Sequence, residues 1–233
     1  MLKQLWAAAW LGWAGWAWGA APVQIQAAYT LALDGIEVAQ MSETFSRNGE
    51  HYQLNSVSRA VGLLAAFRPE TITVHSEGDI TAQGLRPQQM LQQRERDAAR
   101  NSAAVFDWAN NQLTLTDRNG ERRVELAAGS QDRLSAIYQF LFLDLRQLRE
   151  LAFMMTDGHK LDRYDYQQQE GQQVEVPLGK FKAAYWVSPA QANGSKTEIW
   201  LAVERSNFPV KIVVTEANGS RYTQTLTQLV ITP

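Results

Sequence analysis

The chain has 233 residues, of which 45% are hydrophobic and 20% are charged, and its formal net charge is −2. That apolar fraction is ordinary for a globular protein with a buried core. The charge balance argues against a nucleic-acid partner, because such proteins carry a basic excess that neutralises phosphates. The sequence contains no cysteine, which excludes disulfides, thiol catalysis and cysteine metal sites.

The N-terminal segment has the pattern of an export signal. Lys3 precedes the run 5–18, which is built only of Leu, Trp, Ala and Gly and ends next to a small residue that a signal peptidase accepts. About fourteen apolar residues are too few for a bilayer core that needs roughly twenty. We therefore expect residues 1–19 to be a cleavable signal peptide, the mature chain to start at Ala20, and the protein to be periplasmic. Without cysteine, no residue is available for acylation behind the signal.

Turn dipeptides organise the remaining sequence. Asn-Gly occurs four times and Asp-Gly twice, and both adopt the geometry of two-residue hairpins at little cost. The segments between them have strand character and predict about ten to twelve antiparallel strands. These segments are 24–33, 36–47, 52–58, 71–75, one from 80, 113–116, 122–126, 199–203, 210–214 and 222–231. Only 189–194 has the composition of a domain linker, and six residues suit a hairpin loop better, so we expect a single β-rich domain over 20–233.

One segment departs from the strand pattern. Gln131–Phe153 contains neither Gly nor Pro, and with Ser130 or Asp132 as a cap it predicts a helix over 131–149. Its large apolar residues cover roughly twice the ~100° that a surface helix needs. The predicted fold class is therefore mainly β with one long helix (α+β). A curved antiparallel sheet or half-barrel would wrap around this apolar helix.

Five polar residues fall on one narrow stripe of the predicted helix. They are Asp132, Ser135, Gln139, Arg146 and Glu150. Two interpretations remain open: the stripe is the one wetted edge of the helix, or it is a polar contact line inside a cavity.

The motifs of common catalytic sites are missing from the sequence. It has no Gly-x-Ser-x-Gly elbow and no glycine-rich phosphate loop. His51 and His75 could meet in a sheet, but neither has the spacing of zinc ligands. Several charged residues follow the helical segment, namely Asp157, His159, Lys160, Asp162, Arg163 and Asp165. They suggest an acid/base or calcium site or, more simply, a solvated charged hairpin, because the order of a calcium loop is absent. We predict no catalytic residue, no metal site and no cofactor.

Several short segments occur in an order that resembles a known family. They are Ser76-Glu77-Gly78-Asp79-Ile80, Gly84-Leu85-Arg86-Pro87, Phe106-Asp107-Trp108, Gln131-Asp132-Arg133-Leu134-Ser135, and the strand pair 198–202 and 208–212. Together they resemble the exported proteobacterial family called domain of unknown function 3108 over most of 24–230. The resemblance implies an exported protein without an assigned activity.

The C-terminal part, from Trp200 to Gly219, is similar in pattern to periplasmic carriers of outer-membrane lipoproteins. In those carriers a half-open antiparallel barrel wraps an apolar helix and holds acyl chains. The resemblance implies a fold and transfers no residue roles, since fold does not define function.

Two functions from different classes follow from these observations. The first is binding or carriage of an apolar ligand, such as an acyl or lipid-like molecule, in a cavity lined by Ile137, Leu141, Leu145 and Trp200. The second is a structural or assembly factor of the cell envelope that binds another protein, for example through a sheet edge. An enzyme is a third hypothesis and lacks a supporting motif. Neither nucleic acid nor integral membrane insertion is expected.

Overall fold

A computed structural model describes residues 23–189 and 194–232, and the predicted signal peptide lies outside the described residues. The described residues form one sheet of fifteen strands. In chain order the strands are β1 Gln24–Leu33, β2 Ile36–Asn48, β3 His51–Ala60, β4 Thr71–Thr81, β5 Gly84–Arg94, β6 Ser102–Asp107, β7 Gln112–Asp117, β8 Gly120–Glu125, β9 Gln131–Asp132, β10 Glu150–Thr156, β11 Leu161–Val176, β12 Gly179–Ser188, β13 Lys196–Ala202, β14 Phe208–Thr215 and β15 Arg221–Thr232. Two short helices interrupt them, α1 Gly62–Phe67 and α2 Arg133–Tyr138.

The sheet is a meander in which strands that follow one another in the chain are also neighbours in the sheet, with the exception of β8 and β9. Its order is β8-β7-β6-β5-β4-β3-β2-β1-β15-β14-β13-β12-β11-β10-β9, so β8 and β9 are the edges and β1 pairs with β15 in the middle. All pairs are antiparallel except β9 with β10. The expected antiparallel sheet is confirmed, and Asp34-Gly35 and Gly49-Glu50 form the turns of its first two hairpins.

The sheet curls strongly, so that strands far apart in its order come into contact. Neighbouring strands are about 4.8 Å apart, and a flat sheet would hold β6 and β10 roughly 50 Å from each other. Instead, Ser102 of β6 donates from Oγ to the carbonyl oxygen of Asp157, beside β10, at 3.1 Å. Gln131 of β9 likewise donates from Nε2 to the carbonyl oxygen of Leu85 in β5, at 2.9 Å. Side chains rather than a ladder of backbone hydrogen bonds make these cross-contacts.

The interior of the curl contains two apolar clusters. The larger one collects inward side chains from β1–β7 and from the strands on the other side, around Phe45, Tyr138 and Phe208. The smaller one surrounds Phe140, whose ring lies 5.8 Å from that of Trp186. The segment that contains α2 contributes to both clusters, which explains why it is apolar on several sides.

The long helix predicted over 131–149 is wrong, and with it the α+β fold class of a sheet wrapped around such a helix. Residues 131–132 are strand β9, α2 covers only Arg133–Tyr138, and one 3₁₀ turn, Gln139–Leu141, follows. Residues 150–156 are strand β10. The protein is therefore mostly β. Among the described residues, no helix has the length and apolarity needed to cross a bilayer.

Local hydrogen bonds explain why the helix stops after one and a half turns of α2 and one of 3₁₀. The carboxylate of Asp144 accepts from the backbone N–H of Arg146 at 3.3 Å and from its guanidinium at 2.9 Å. Such side-chain bonds offer the backbone an alternative to the helix. Beyond this turn, β10 gains a complete ladder with β11, which a continued helix would lose.

Candidate ligand-binding cavity

One end of the curled sheet, which we call the rim, surrounds the opening of a cavity. Antiparallel pairing brings alternate connections to the same end. The rim includes the connections at 34–35, 61–70, 95–101, 157–160 and 216–220. The first and last are linked, because Asp34 N donates to Arg221 O at 2.9 Å and Arg221 N donates to Asp34 Oδ1 at 2.8 Å.

The cavity has a volume of about 570 Å³, a size that is typical of small-molecule sites. One wall comes from β1–β5, the other from β10, β11 and β13–β15, and α2 contributes residues between them. More of the lining surface is apolar than polar. The apolar lining includes Leu31, Met41, Ile72, Leu134, Ile137 and Ile212.

The first wall consists of two cross-strand rows of side chains. Residues directly opposite one another in neighbouring strands share a face of the sheet. The row nearer the rim is Arg94, Ile72, Ser58 and Met41, and the deeper row is Gln92, Val74, Ser56 and Glu43. Each row thus combines apolar side chains with hydroxyl or charged groups.

Glu43 is a buried carboxyl group in the deeper row. It accepts hydrogen bonds from the Tyr138 hydroxyl at 3.1 Å and from the Ser56 hydroxyl at 3.3 Å. Burial raises the pKa of Glu43 from 4.5 to about 7, although these bonds and the charge of Arg133 act in the opposite direction. Near neutral pH this carboxyl group is therefore only partly ionised.

The segments that carry the family resemblance meet at the start of α2. Ser76 donates from Oγ to Asp132 Oδ2 at 2.6 Å. Asp132 Oδ1 accepts from the backbone N–H groups of Leu134 and Ser135, at 2.8 and 2.9 Å, and the Ser135 hydroxyl accepts from Asp132 N in return. This is a capping box inside the core. Burial raises the pKa of Asp132, and its hydrogen bonds with Ser76 and Ser135 oppose the rise.

The β4–β5 hairpin completes this junction. The backbone of Leu85 donates to Gln139 Oε1 at 2.6 Å and accepts from Gln131 Nε2 at 2.9 Å. A Cβ at Gly78 would lie 2.2 Å from the carbonyl oxygen of Arg86, so the close approach of β4 and β5 requires glycine there. The motif residues therefore hold α2 in place beneath the cavity.

The structure places the four residues of the predicted cavity in different environments. Ile137 lines the cavity. Leu141 packs against the larger core cluster, and Leu145 is buried in the smaller one. Trp200 stacks on Tyr185 with ring centres 4.8 Å apart.

The predicted polar stripe is divided between interior and surface. Asp132, Ser135 and Gln139 are buried, so the interpretation as a wetted edge is wrong for these three residues. Arg146 and Glu150 lie beyond the helix and are exposed.

The histidines have separate partners. His51 Nδ1 lies 2.8 Å from Asp79 Oδ1, and His75 lies between Asn55 and Glu77 at 2.8 and 3.1 Å. Within the part of the chain that the structure describes, no cluster of three or more His, Cys, Asp or Glu could hold a metal ion.

The charged residues after α2 form the β10–β11 hairpin. Asp157 Oδ1 accepts from the backbone N–H groups of His159 and Lys160, and Arg163 pairs with Asp165 at 2.7 Å. These contacts are those of a charged hairpin turn. Asp157 and Lys160 also line the cavity at the rim.

Sequence reasoning missed the polar groups of the cavity, above all Glu43, Arg94 and Arg133. One signal for Glu43 was present: it shares the inward positions of β2 with Ala39 and Phe45, where alternation predicts apolar residues. A carboxyl group in that register is unusual. Arg94 and Arg133 come together only through the tertiary fold.

The architecture is that of an all-β protein with a curled sheet around a cavity. Among solved structures it is similar to a "Beta-barrel-like Protein of Domain of Unknown Function DUF1849" from Brucella abortus, with a TM-score of 0.57 and 11% sequence identity over 90% of this chain and 98% of that one. This likeness concerns the fold alone. For a "putative lipoprotein" from Parabacteroides distasonis the TM-score is 0.37 and the identity 9%, over 90% of this chain and 95% of that one.

The chain belongs to the family described as protein of unknown function DUF3108, whose family model matches residues 26–227. The resemblance inferred from the motif segments is thereby confirmed. A comparison with curated proteins finds no match.

Proposed function

We propose that this is an exported periplasmic protein that binds or carries a ligand with an apolar chain. The cavity of about 570 Å³ between the two walls carries this proposal, since its lining is more apolar than polar and it opens at the rim. The signal-peptide pattern of residues 1–19 supports export.

The test is a titration of the purified protein with octanoate, decanoate, dodecanoate and tetradecanoate, followed by calorimetry. Burial of one methylene contributes about 0.8 kcal/mol, so the affinity should rise up to about fourfold per methylene until the cavity is full. An affinity that does not depend on chain length would contradict the proposal.

Ile137→Trp should weaken dodecanoate binding at least tenfold while the protein stays folded, because the larger side chain occupies cavity space. Calorimetry with the variant gives the affinity, and circular dichroism checks the fold. Val105→Trp is the matched control, since Val105 is exposed on β6 and does not line the cavity. Equal losses in both variants would show that the cavity is not the binding site.

A second function, an envelope factor that binds another protein, is favoured by one observation on α1. This helix buries none of its residues, and Leu63 and Phe67 are 76% and 82% exposed. Ile36, also exposed, belongs to the neighbouring hairpin, whose Val38 carbonyl accepts from Val61 N at 2.9 Å. Single exposed apolar residues are common, whereas a cluster of them indicates an interaction surface.

Replacement of an exposed apolar residue of α1 should abolish the contact with a partner protein and leave the stability of the fold unchanged. Leu63→Ser should change the free energy of unfolding by no more than about 0.5 kcal/mol, because the side chain is exposed. A photoreactive residue at 67 should crosslink in the periplasm to one protein, and Leu63→Ser should abolish that adduct. The same residue at 105 is the control. Crosslinks to lipid, or identical adducts from both positions, would contradict a protein-binding role.

A further inference from the structure

Two arginines lie on the cavity lining with little opposing charge. Arg94 is the last residue of β5, and its side chain is only 18% exposed. Its Nε is buried and has no hydrogen-bond partner, and its nearest carboxylate, on Glu70, is 3.9 Å from Nη1. A buried guanidinium nitrogen without an acceptor is costly, because it has lost water without gaining a substitute.

Arg133 approaches the same part of the lining from α2. Its Nη1 donates to Gln92 Oε1 at 3.3 Å, and Gln92 precedes Arg94 by two residues and therefore shares its face of β5. Arg133 forms no ion pair with the residues that the structure describes. Burial lowers the pKa of Arg94; the charges of Arg100 and Arg133 add to the decrease, and those of Glu70 and Asp97 oppose it. An anion between the two guanidinium groups would relieve this repulsion.

The acidic groups of the cavity lining have other hydrogen-bond partners or are exposed, although the charge of Arg133 does act on Glu43. Glu43 is buried between Ser56 and Tyr138, and Asp157 accepts backbone N–H groups of its own turn. Glu216 is exposed on the opposite wall. Lys160, the remaining cation of the lining, is paired with Asp162.

We propose that Arg94 and Arg133 bind the anionic head group of the ligand, a carboxylate or a phosphate monoester, while its chain extends along Ile72 and Ile137 into the apolar part of the cavity. This inference rests on the proposed function, because it assigns the head group of the same chain-bearing ligand. Guanidinium groups suit such anions, since they form charge-assisted, often bidentate hydrogen bonds.

The test compares dodecanoate, dodecyl phosphate, dodecanol and inorganic phosphate as calorimetric ligands of the purified protein. Both anionic dodecyl compounds should bind at least about tenfold more tightly than dodecanol, the value expected for one charged hydrogen bond. Arg133→Gln, at an exposed site, and Arg94→Gln should each abolish most of this preference and leave dodecanol binding unchanged. Arg146→Gln, whose side chain is exposed and outside the cavity, should behave like the wild type.

The possible outcomes separate the two proposals. Equal affinity for dodecanoate and dodecanol, unaffected by Arg133→Gln, would overturn the head-group site and leave the apolar cavity supported. Absence of binding by every dodecyl compound would overturn the proposed function itself. Binding of inorganic phosphate as tightly as dodecyl phosphate, lost in both arginine variants, would identify a site for free anions and overturn the chain-bearing ligand. If Arg94→Gln does not fold, Arg133→Gln decides the question alone.

Discussion

Replacement of Asp132 by alanine is expected to lower the free energy of unfolding by about 3 kcal/mol, the largest effect of any single side chain at the α2 junction. The change removes the cap of α2, which contributes about 1 kcal/mol, leaves two backbone N–H groups without acceptors in the core, and removes the short hydrogen bond of the Ser76 hydroxyl. A buried donor without a partner costs about 1–3 kcal/mol. Urea denaturation of the variant and the wild type measures the difference.

Two further variants make this prediction specific. Asp132→Asn keeps a side-chain oxygen that accepts from the backbone N–H groups, so it should lower the free energy of unfolding clearly less than Asp132→Ala does. Asp107→Ala removes an aspartate from a surface turn, where it accepts from Asn110, and should cost much less. If Asp132→Ala and Asp107→Ala were equally stable, the buried junction would have no special role.

Glu43→Gln is expected to flatten the pH dependence of stability. The pKa of Glu43 is raised by burial from 4.5 to about 7, so the folded protein holds this proton more tightly than the unfolded chain. The resulting stabilisation is complete below pH 4.5 and is lost as the pH rises to about 7. One pKa unit corresponds to 1.36 kcal/mol, so the free energy of unfolding of the wild type should fall by about 3 kcal/mol across this pH window. The Glu43→Gln variant should not show this decrease.

Urea denaturation at a series of pH values measures the effect as the difference between wild type and variant. Asp132 is also buried with a raised pKa, but it contributes equally to both proteins and cancels in the difference. Glu37→Gln is the matched control, because Glu37 is exposed on the same strand and should leave the wild-type curve unchanged. Parallel curves for Glu43→Gln and wild type would show that Glu43 is not the titrating group.

Both predictions concern polar groups that the fold buries next to the cavity. Asp132 fixes the position of α2, and α2 presents Ile137 and Arg133 to the lining. Glu43 and Ser56 form part of the opposite surface, with Tyr138 bridging from α2 to β2. The site therefore depends on hydrogen bonds between the helix and the sheet as much as on apolar packing.

The sequence alone determined most of the hairpins. The positive φ of Gly35, Gly49 and Gly120 is a local property, and the strands beside these turns begin and end within a few residues of the predicted bounds. Alternation of apolar residues, a second local property, placed β1 and β15 nearly to the residue. Local signals failed for β11, whose polar run around Gln168 lacks an apolar face along much of its length.

Only the tertiary structure decided what the segment after Ser130 does and where the cavity lies. Apolar residues on several sides of a segment indicate that it is buried. The same pattern fits a long helix and an irregular segment between two core clusters, so it does not distinguish them. The hydrogen-bond partners of β10 come from β11, and no local pattern reveals them. The lining joins residues as distant in sequence as Glu43 and Arg133, because side-chain contacts curl the sheet until its two halves face each other. Contacts of that kind depend on the geometry of the whole sheet, and a sequence read locally does not contain them.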